Sequence, residues 1–184
     1  MAVLGRRAAA AAIALAIGGL ALAGGSPPVY SSREQALARA FPPPATIERK
    51  TFFLTEAERD KASRAARAKV DSALVIAYVA KGPNGILGTG YFDTHTVRTM
   101  PETILVTVKP DGSLQGVEVI AFGEPEDYLP RRNWLKLFPG RRLDDELAVG
   151  RGLAHVTGAT LTTRVIADAV RRVLAVHALV SGRS

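Results

Sequence analysis

A chain of 184 residues has room for one globular domain and a short targeting segment, which excludes a second enzymatic domain. Apolar residues make up 47% of the chain and charged residues 22%, a balance that supports a buried core and excludes a disordered protein. The absence of cysteine excludes disulfides, thiolate chemistry and a lipid-modified cysteine anchor. The formal charge is +7, but the basic residues are scattered without interleaved aromatics, so we interpret them as a solvated surface and expect no nucleic-acid partner.

The N-terminus has the residue order of an export signal. Arg6 and Arg7 precede an apolar, Ala-rich stretch that ends in the small-x-small pattern Ala21-Leu22-Ala23. The stretch covers about 16 residues, fewer than the roughly 20 of a membrane-spanning helix, so cleavage is the simpler interpretation and an uncleaved anchor is the alternative. Residues 1–24 are therefore predicted to be a signal peptide or an N-terminal anchor. This prediction places the protein in the periplasm or on the extracytoplasmic face of the membrane.

Two capping-box patterns follow, and they predict a helical N-terminal segment over residues 25–71. Ser31 and Glu34 have the spacing of the first box, and the helix that it opens should stop before Pro42. Thr55 and Glu58 repeat the spacing and open a second helix, which is expected to reach about Lys69.

From Ser72 onward the sequence turns to runs of β-branched and aromatic residues, the signature of strands. A tight turn at Pro110-Asp111-Gly112 favours an antiparallel hairpin between the last two of these runs. Residues 72–184 are therefore predicted to form one α+β domain, in which a twisted antiparallel sheet packs against helices. The four predicted strands are Ala73–Ala80, Gly85–Phe92, Thr103–Lys109 and Leu114–Phe122.

Two helices are predicted after the sheet. Leu129–Phe138 is a short amphipathic helix that contains Trp134, and Leu161–Val180 is a long C-terminal helix. The long helix presents Val165, Ile166, Ala169, Val170, Val173, Leu174 and His177 on one face. We expect Arg164, Asp168, Arg171 and Arg172 to face away from the sheet.

Thr157-Gly158-Ala159-Thr160 stands immediately before the C-terminal helix and has the character of an anion site. The first turn of a helix leaves backbone N–H groups unpaired, and the peptide dipoles add partial positive charge there. Gly158 lets the backbone approach an anion, and Thr160 adds a hydroxyl group. The residues alone leave a second interpretation open, in which Thr157 or Thr160 is simply a helix N-cap.

The stretch from Val156 to Thr163, followed by an amphipathic helix, closely resembles the end of FMN-binding domains. Such domains occur in the sodium-pumping NADH:quinone oxidoreductase, in the Rnf electron-transport complex and in the nitrous-oxide reductase regulator. The Pro110 turn, the Glu124-Pro125 loop, the Trp134–Phe138 helix and Gly140 also follow the family's order. The resemblance therefore extends over roughly residues 72–177.

The resemblance implies FMN as the cofactor, with its phosphate esterified to Thr160 by a flavin transferase that uses FAD outside the cytoplasm. Thr162 and Thr163 are the next attachment sites to consider. It also implies that Glu124 approaches the isoalloxazine ring, whereas the residues alone fit a solvent-exposed loop carboxylate equally well. The cofactor-binding residues that it implies are Thr157, Gly158, Ala159, Thr160, Leu161 and Glu124.

One departure from the family pattern bears on whether FMN is bound covalently or reversibly. The transferase's usual pattern has an aspartate three residues before the first Ser or Thr of the motif, and this chain has Ala154 there.

Tyr128 and Trp134 are candidates for stacking on the flavin, with a place in the core as the alternative. Asp93 and His95 lie two apart, but without cysteine or a nearby second histidine we expect no metal site.

These observations predict an extracytoplasmic FMN-binding electron-transfer protein. No nucleophile–base pair or oxyanion motif is visible, so we expect no catalytic residues and a redox carrier rather than a substrate-transforming enzyme. Its expected partners are electron-transfer proteins, with a membrane redox complex among them, and the flavin transferase. The alternative is a flavin-free or weakly binding interaction or signalling module of the same fold, which Ala154 favours.

Overall fold

Residues 28–183 are described by a computed structural model of the chain. The predicted signal peptide or anchor, residues 1–24, lies outside these described residues. Within 28–183 no helix is both long enough and apolar enough to cross a bilayer. In chain order the elements are α1 (Arg33–Ala40), β1 (Thr46–Phe53), α2 (Glu56–Ala66), β2 (Leu74–Gly82), β3 (Gly85–Thr96), β4 (Pro101–Val108), β5 (Leu114–Phe122), a 3₁₀ turn (Glu126–Tyr128), α3 (Arg132–Leu135) and α4 (Thr160–Val180).

The five strands form one antiparallel sheet in the order β1-β2-β3-β4-β5, in which each strand pairs with its neighbours in sequence. The predicted hairpin joins β4 to β5, and Gly112 adopts φ +79° in its turn, a conformation that favours glycine. The predicted α+β class, with a long C-terminal helix packed on an antiparallel sheet, is therefore confirmed.

The N-terminal segment differs from the prediction, because residues 25–71 are not wholly helical. They include β1, which pairs with β2 along its full length from Thr46↔Lys81 to Phe53↔Leu74. β1 is an edge strand that is largely exposed, and Glu48, Arg49 and Lys50 lie at its centre. Charged residues on an exposed edge discourage pairing with other chains, but they also remove the alternating apolar pattern by which a strand is recognised.

The helix starts follow their predicted capping boxes, with one shift. Ser32 rather than Ser31 caps α1, and its partner is Gln35 rather than Glu34. Thr55 and Glu58 cap α2 as predicted. Of the predicted Leu129–Phe138 helix, only the four residues of α3 are helical, and the 3₁₀ turn lies just before the predicted range.

Both faces of the sheet are covered. Ile104 and Val106 of β4 face the larger core, which α2 and α4 close, and Leu105 faces the smaller core beneath α1. Ile166, Ala169, Val170 and Val173 of α4 lie in the larger core as predicted. The alternation along β4 thus distributes its side chains between two cores.

Two arginines of α4 differ from the expectation of a polar outer face: Arg172 reaches Asp93 of β3, and Arg171 is buried. The residue is only 5% exposed, and its guanidinium donates to the backbone carbonyls of Ala66 (2.6 Å), Asp144 (2.5 Å) and Leu147 (3.2 Å). It therefore joins the end of α2 and the loop before the motif to α4. A buried guanidinium is stable there because backbone oxygens take up its donors.

Candidate functional site

The first turn of α4 presents unpaired backbone donors. Ala159 occupies the N-cap and makes no side-chain capping bond, and the first amide to find an acceptor is that of Thr163, which donates to the Ala159 carbonyl at 2.9 Å. Within residues 28–183, the N–H groups of Thr160, Leu161 and Thr162 have no acceptor. The two capping interpretations are wrong, because neither Thr157 nor Thr160 caps the helix. The terminus is therefore open to an anion.

The turn that leads into α4 is shaped by Gly158, which has φ +85°. A Cβ atom at Gly158 would meet nothing within 4 Å, so the approach to the helix terminus is open. The Thr160 hydroxyl donates to the Val156 carbonyl at 3.2 Å, which orients its oxygen while leaving that oxygen's lone pairs available. The exposed Thr157 side chain makes no hydrogen bond to another described residue.

The next residues of α4 differ in how far their side chains are exposed to solvent. The Leu161 side chain is largely exposed beside the terminus, whereas Thr162 and Thr163 are buried. The Thr163 hydroxyl is also engaged, because it donates to the Thr160 carbonyl at 3.0 Å. Burial therefore argues against attachment at Thr162 or Thr163 and leaves Thr160 as the accessible hydroxyl of the helix start.

The local charge favours a negative ligand. No acidic residue occurs in the sequence between Glu146 and Asp168, so the helix start carries no carboxylate of its own. Arg164 is exposed one turn into α4, four residues after Thr160, and side chains at that spacing share a helix face. The positive end of the helix dipole and this guanidinium act in the same direction.

The segment before the motif is held by Trp134. The indole N–H donates to the Ala154 carbonyl at 2.8 Å, and the ring packs edge-on against Phe138 with centroids 5.1 Å apart. Trp134 is thus a core residue rather than an exposed stacking platform. The Ala154 side chain remains exposed.

Glu124 is not the solvent-exposed loop carboxylate of the alternative interpretation, since the residue is 8% exposed. Its Oε1 accepts the backbone N–H groups of Arg98 (3.1 Å), Thr99 (2.8 Å) and Met100 (3.0 Å). The N–H donors of Thr99 and Met100 contribute most to a pKa of Glu124 below its ordinary value. Glu124 thus secures the β3–β4 loop. Within the described chain it makes no hydrogen bond to residues 157–161, and its flavin contact stays a prediction.

A second polar cluster lies on the face of the sheet that α4 covers. His95 lies between two carboxylates, with Nδ1 2.8 Å from Asp93 Oδ1 and Nε2 3.0 Å from Glu102 Oε2, and Arg172 reaches Asp93 at 3.0 Å. Asp93, His95 and Arg172 line a cavity of about 610 Å³ between β3, α4 and the loop after α2. Both ring nitrogens of His95 are therefore occupied by side chains of the chain itself.

The ionisation of this cluster is set by burial and hydrogen bonding together. Burial alone would lower the pKa of His95, but the hydrogen bonds to Asp93 and Glu102 outweigh it and raise that pKa. Burial raises the pKa of Glu102, which is 0% exposed and whose Oε1 has no partner among the described residues. Burial also opposes ionisation of Asp93, but His95 and Arg172 hold its pKa below the ordinary value.

Sequence reasoning missed Glu102. The register of the β3–β4 hairpin would have identified it, because this register places His95 directly opposite Glu102. The predicted strand ended at Phe92, whereas β3 continues to Thr96, and only the longer strand brings the two side chains together.

The described chain is thus an α+β domain whose C-terminal helix begins with unpaired backbone N–H groups. Residues 100–175, from β4 into α4, match the family model described as the FMN-binding domain. This match supports flavin binding and FMN as the cofactor. Among curated proteins, none matches the chain.

Proposed function

We propose that this protein is an extracytoplasmic electron-transfer flavoprotein that holds the FMN phosphate at the N-terminus of α4. The observation that carries the proposal is the uncapped helix start, where three consecutive backbone N–H groups have no acceptor within the described residues. A well-capped terminus would be more stable by about 0.5–2 kcal/mol, so an alanine at the N-cap fits a terminus that is reserved for a ligand.

The residues around the helix start contribute to phosphate binding in different ways. The N–H groups of Thr160, Leu161 and Thr162 are the donors, Gly158 keeps the approach open, and Arg164 adds positive charge. When bound, FMN supplies one- and two-electron transfer. The chain's own contribution is to position the cofactor and to set its access to partners.

Thr160 is the residue that we propose for a covalent bond. Its hydroxyl oxygen would form a phosphoester with the FMN phosphate of FAD, with AMP as the leaving group, in a reaction carried out by a separate flavin transferase. The exposed Ala154 favours the second candidate, reversible FMN binding at the same terminus, because the carboxylate of the transferase pattern is missing there. Both candidates use the same donors and differ only in the bond to Thr160.

We further propose that the protein relays electrons between partner proteins outside the cytoplasm, with a membrane redox complex among the partners. The charged N-terminal residues followed by an apolar stretch support export. At the α4 terminus the Thr160 hydroxyl donates a hydrogen bond to the backbone carbonyl of Val156. Among the described residues it has no hydrogen bond to a side chain that could act as a general base. This arrangement suits cofactor attachment better than substrate turnover.

Intact-mass measurement tests the attachment. The protein co-expressed with an active flavin transferase should gain the mass of one FMN phosphoester, Thr160→Ser should keep the gain, and Thr160→Ala should lose it. Thr157→Ala is the matched control, because its hydroxyl makes no hydrogen bond within the described chain, and it should retain the adduct.

Two outcomes separate the remaining alternatives. An adduct that persists in Thr160→Ala would contradict the assigned residue. If no variant gains mass, titration with free FMN decides, and saturable quenching of flavin fluorescence would support reversible binding at the same helix start. Failure of both measurements would contradict the proposed function.

A further inference from the structure

β5 is the second edge of the sheet, and its outer side is closed at both ends but open in the middle. At one end Leu114 exchanges backbone hydrogen bonds with Gly140 and Arg141, each at 2.8 Å. At the other end the Ile120 carbonyl accepts from Tyr30 at 2.8 Å, and Phe122 donates to Pro28 at 3.3 Å. Within residues 28–183, the outer backbone of Gln115–Val119 has no backbone partner.

Residues 116–119 of the open part of the edge line a groove, which we call the β5 groove. Its volume is about 740 Å³, and it runs between β5 and the segment that contains α3. Tyr30 and Pro139 also line it; Tyr30 donates to Ile120 at one closed end of the edge, and Pro139 precedes Gly140 of the other. The gap of about five residues corresponds to roughly 16 Å of strand, so it fits a short extended segment and excludes a long continuous strand.

The β5 groove is lined by half-buried apolar side chains and by exposed basic side chains, and we call the exposed basic residues its rim. The apolar lining includes Val117, Val119, Leu129 and Leu135, which are half-buried. This combination would contact both the apolar and the acidic side chains of an added strand.

The charge of the rim is positive. Glu118 also lines the groove, but it forms an ion pair with Arg39, so its charge is already compensated. Arg132 and Lys136 are exposed on α3 and just after it, and neither has an ion-pair partner in the described part of the chain. An occupant with acidic side chains is therefore favoured over a neutral or basic one.

We propose that the β5 groove binds an extended, acidic segment of a partner protein by strand addition. The backbone of the segment pairs with the open edge at Gln115–Val119, its apolar side chains contact Val117 and Val119, and its carboxylates meet Arg132 and Lys136. The other edge of the sheet differs, because β1 is unclosed at its ends and carries a mixed charge cluster at its centre. The inference concerns a surface distinct from the α4 terminus and does not depend on flavin content.

Binding of a designed probe tests the proposal. A blocked pentapeptide that alternates glutamate with valine should give saturable amide shifts at Gln115–Val119 in nitrogen-15 NMR spectra of the full chain. Two versions of the peptide, N-methylated on alternate sets of amides, test the backbone pairing. Since an added strand directs only every second amide toward the edge, one version should lose binding and the other should retain it.

Charge reversal tests the rim. The double variant Arg132→Glu with Lys136→Glu should weaken binding of the acidic peptide by about tenfold, which is the scale of two exposed ion pairs turned into repulsions. The matched control is Arg49→Glu with Lys50→Glu on β1, which reverses the same charge on the other edge and should leave the affinity unchanged.

Four outcomes would overturn the proposal. Equal binding of both N-methylated peptides would exclude strand addition, and equal affinity for a lysine–valine peptide would exclude selection of acidic segments. A concentration-dependent dimer that the Arg132→Glu, Lys136→Glu variant abolishes would assign the groove to a second copy of the chain. Amide shifts that spare Gln115–Val119 would place the peptide elsewhere.

Discussion

Trp134 donates its indole N–H to the Ala154 carbonyl at 2.8 Å, and this bond connects α3 to the segment that leads to Thr160 at the start of α4. Because the indole ring is buried against Phe138, the donor is fixed in position by the core. The bond therefore transmits the rigidity of the core to a segment whose side chains at Ala154 and His155 are exposed. A rigid approach to the helix start lowers the entropic cost of ordering it around a ligand.

Trp134→Phe should lower the free energy of unfolding by about 1–3 kcal/mol, because the Ala154 carbonyl loses its donor while an aromatic ring remains in the core. Urea denaturation measures the change. Tyr128→Phe is the control, since the Tyr128 hydroxyl makes no hydrogen bond within residues 28–183 and its ring contact with Arg98 is retained. Equal effects of the two substitutions would show that the indole hydrogen bond is unimportant.

Arg171→Met should destabilise the fold by about 3 kcal/mol or more, because methionine keeps much of the buried volume but leaves three backbone carbonyls without their donor. Arg164→Met on the same helix removes the same charge from an exposed position and should change stability by less than about 0.5 kcal/mol. Chemical denaturation of both variants provides the comparison. A small effect at Arg171 would mean that water replaces the guanidinium.

Periodicity in the sequence predicted the strands β2 to β5 and the long helix α4, because both depend on apolar spacing. It failed for Arg171, since a helix that is buried on most sides can contain a charged residue wherever backbone carbonyls are available to it. It also failed for β1, where the charges that protect an exposed edge hide the strand. Both failures involve polar groups whose partners come from distant parts of the chain.

The start of α4 was located from local residues alone, because glycine and threonine before an apolar helix are a local signal. Glu102 and the role of Glu124 in the β3–β4 loop needed the strand register, which a single sequence does not specify to one residue. The absence of a cap on α4 was also unpredictable, since two threonines stand close enough to serve.

His95→Gln should remove a pH-dependent part of the stability. Because the hydrogen bonds to Asp93 and Glu102 raise the pKa of His95, its contribution is fully present below the ordinary value of 6.5 and is lost as pH rises through the folded-state pKa. The stability difference between wild type and variant should therefore be larger at about pH 6 than at about pH 9. Urea titrations at both pH values measure it, and exposed His155→Gln is the control.

His177→Gln should change the stability with the opposite pH dependence. His177 is buried, its Nδ1 lies 2.8 Å from the Tyr91 hydroxyl, and burial lowers its pKa below 6.5. Burial also raises the pKa of Tyr91, so a neutral phenol faces a neutral imidazole. The contribution of His177 is fully present above pH 6.5 and declines as pH falls toward the folded-state pKa. A wild-type advantage that grows on acidification would contradict this assignment.

Ala154→Asp should raise the fraction of protein that carries covalent FMN when the flavin transferase is present. The Ala154 side chain is exposed, and the carbonyl of the same residue is held by Trp134, so a carboxylate can be added without disturbing the backbone. Stability should change by less than about 0.5 kcal/mol. Intact-mass spectra, compared at equal transferase levels, give the modified fraction directly.

The matched controls separate charge, position and attachment. Ala154→Asn has nearly the same shape without the charge and should stay at the wild-type level, and His155→Asp places a carboxylate one residue later and should also fail to raise modification. Adding Thr160→Ala to Ala154→Asp should abolish the adduct, because we propose that the Thr160 hydroxyl, and not the carboxylate, forms the bond. If Asp and Asn at position 154 give the same modified fraction, the transferase does not recognise this residue, and the missing carboxylate does not limit attachment at Thr160.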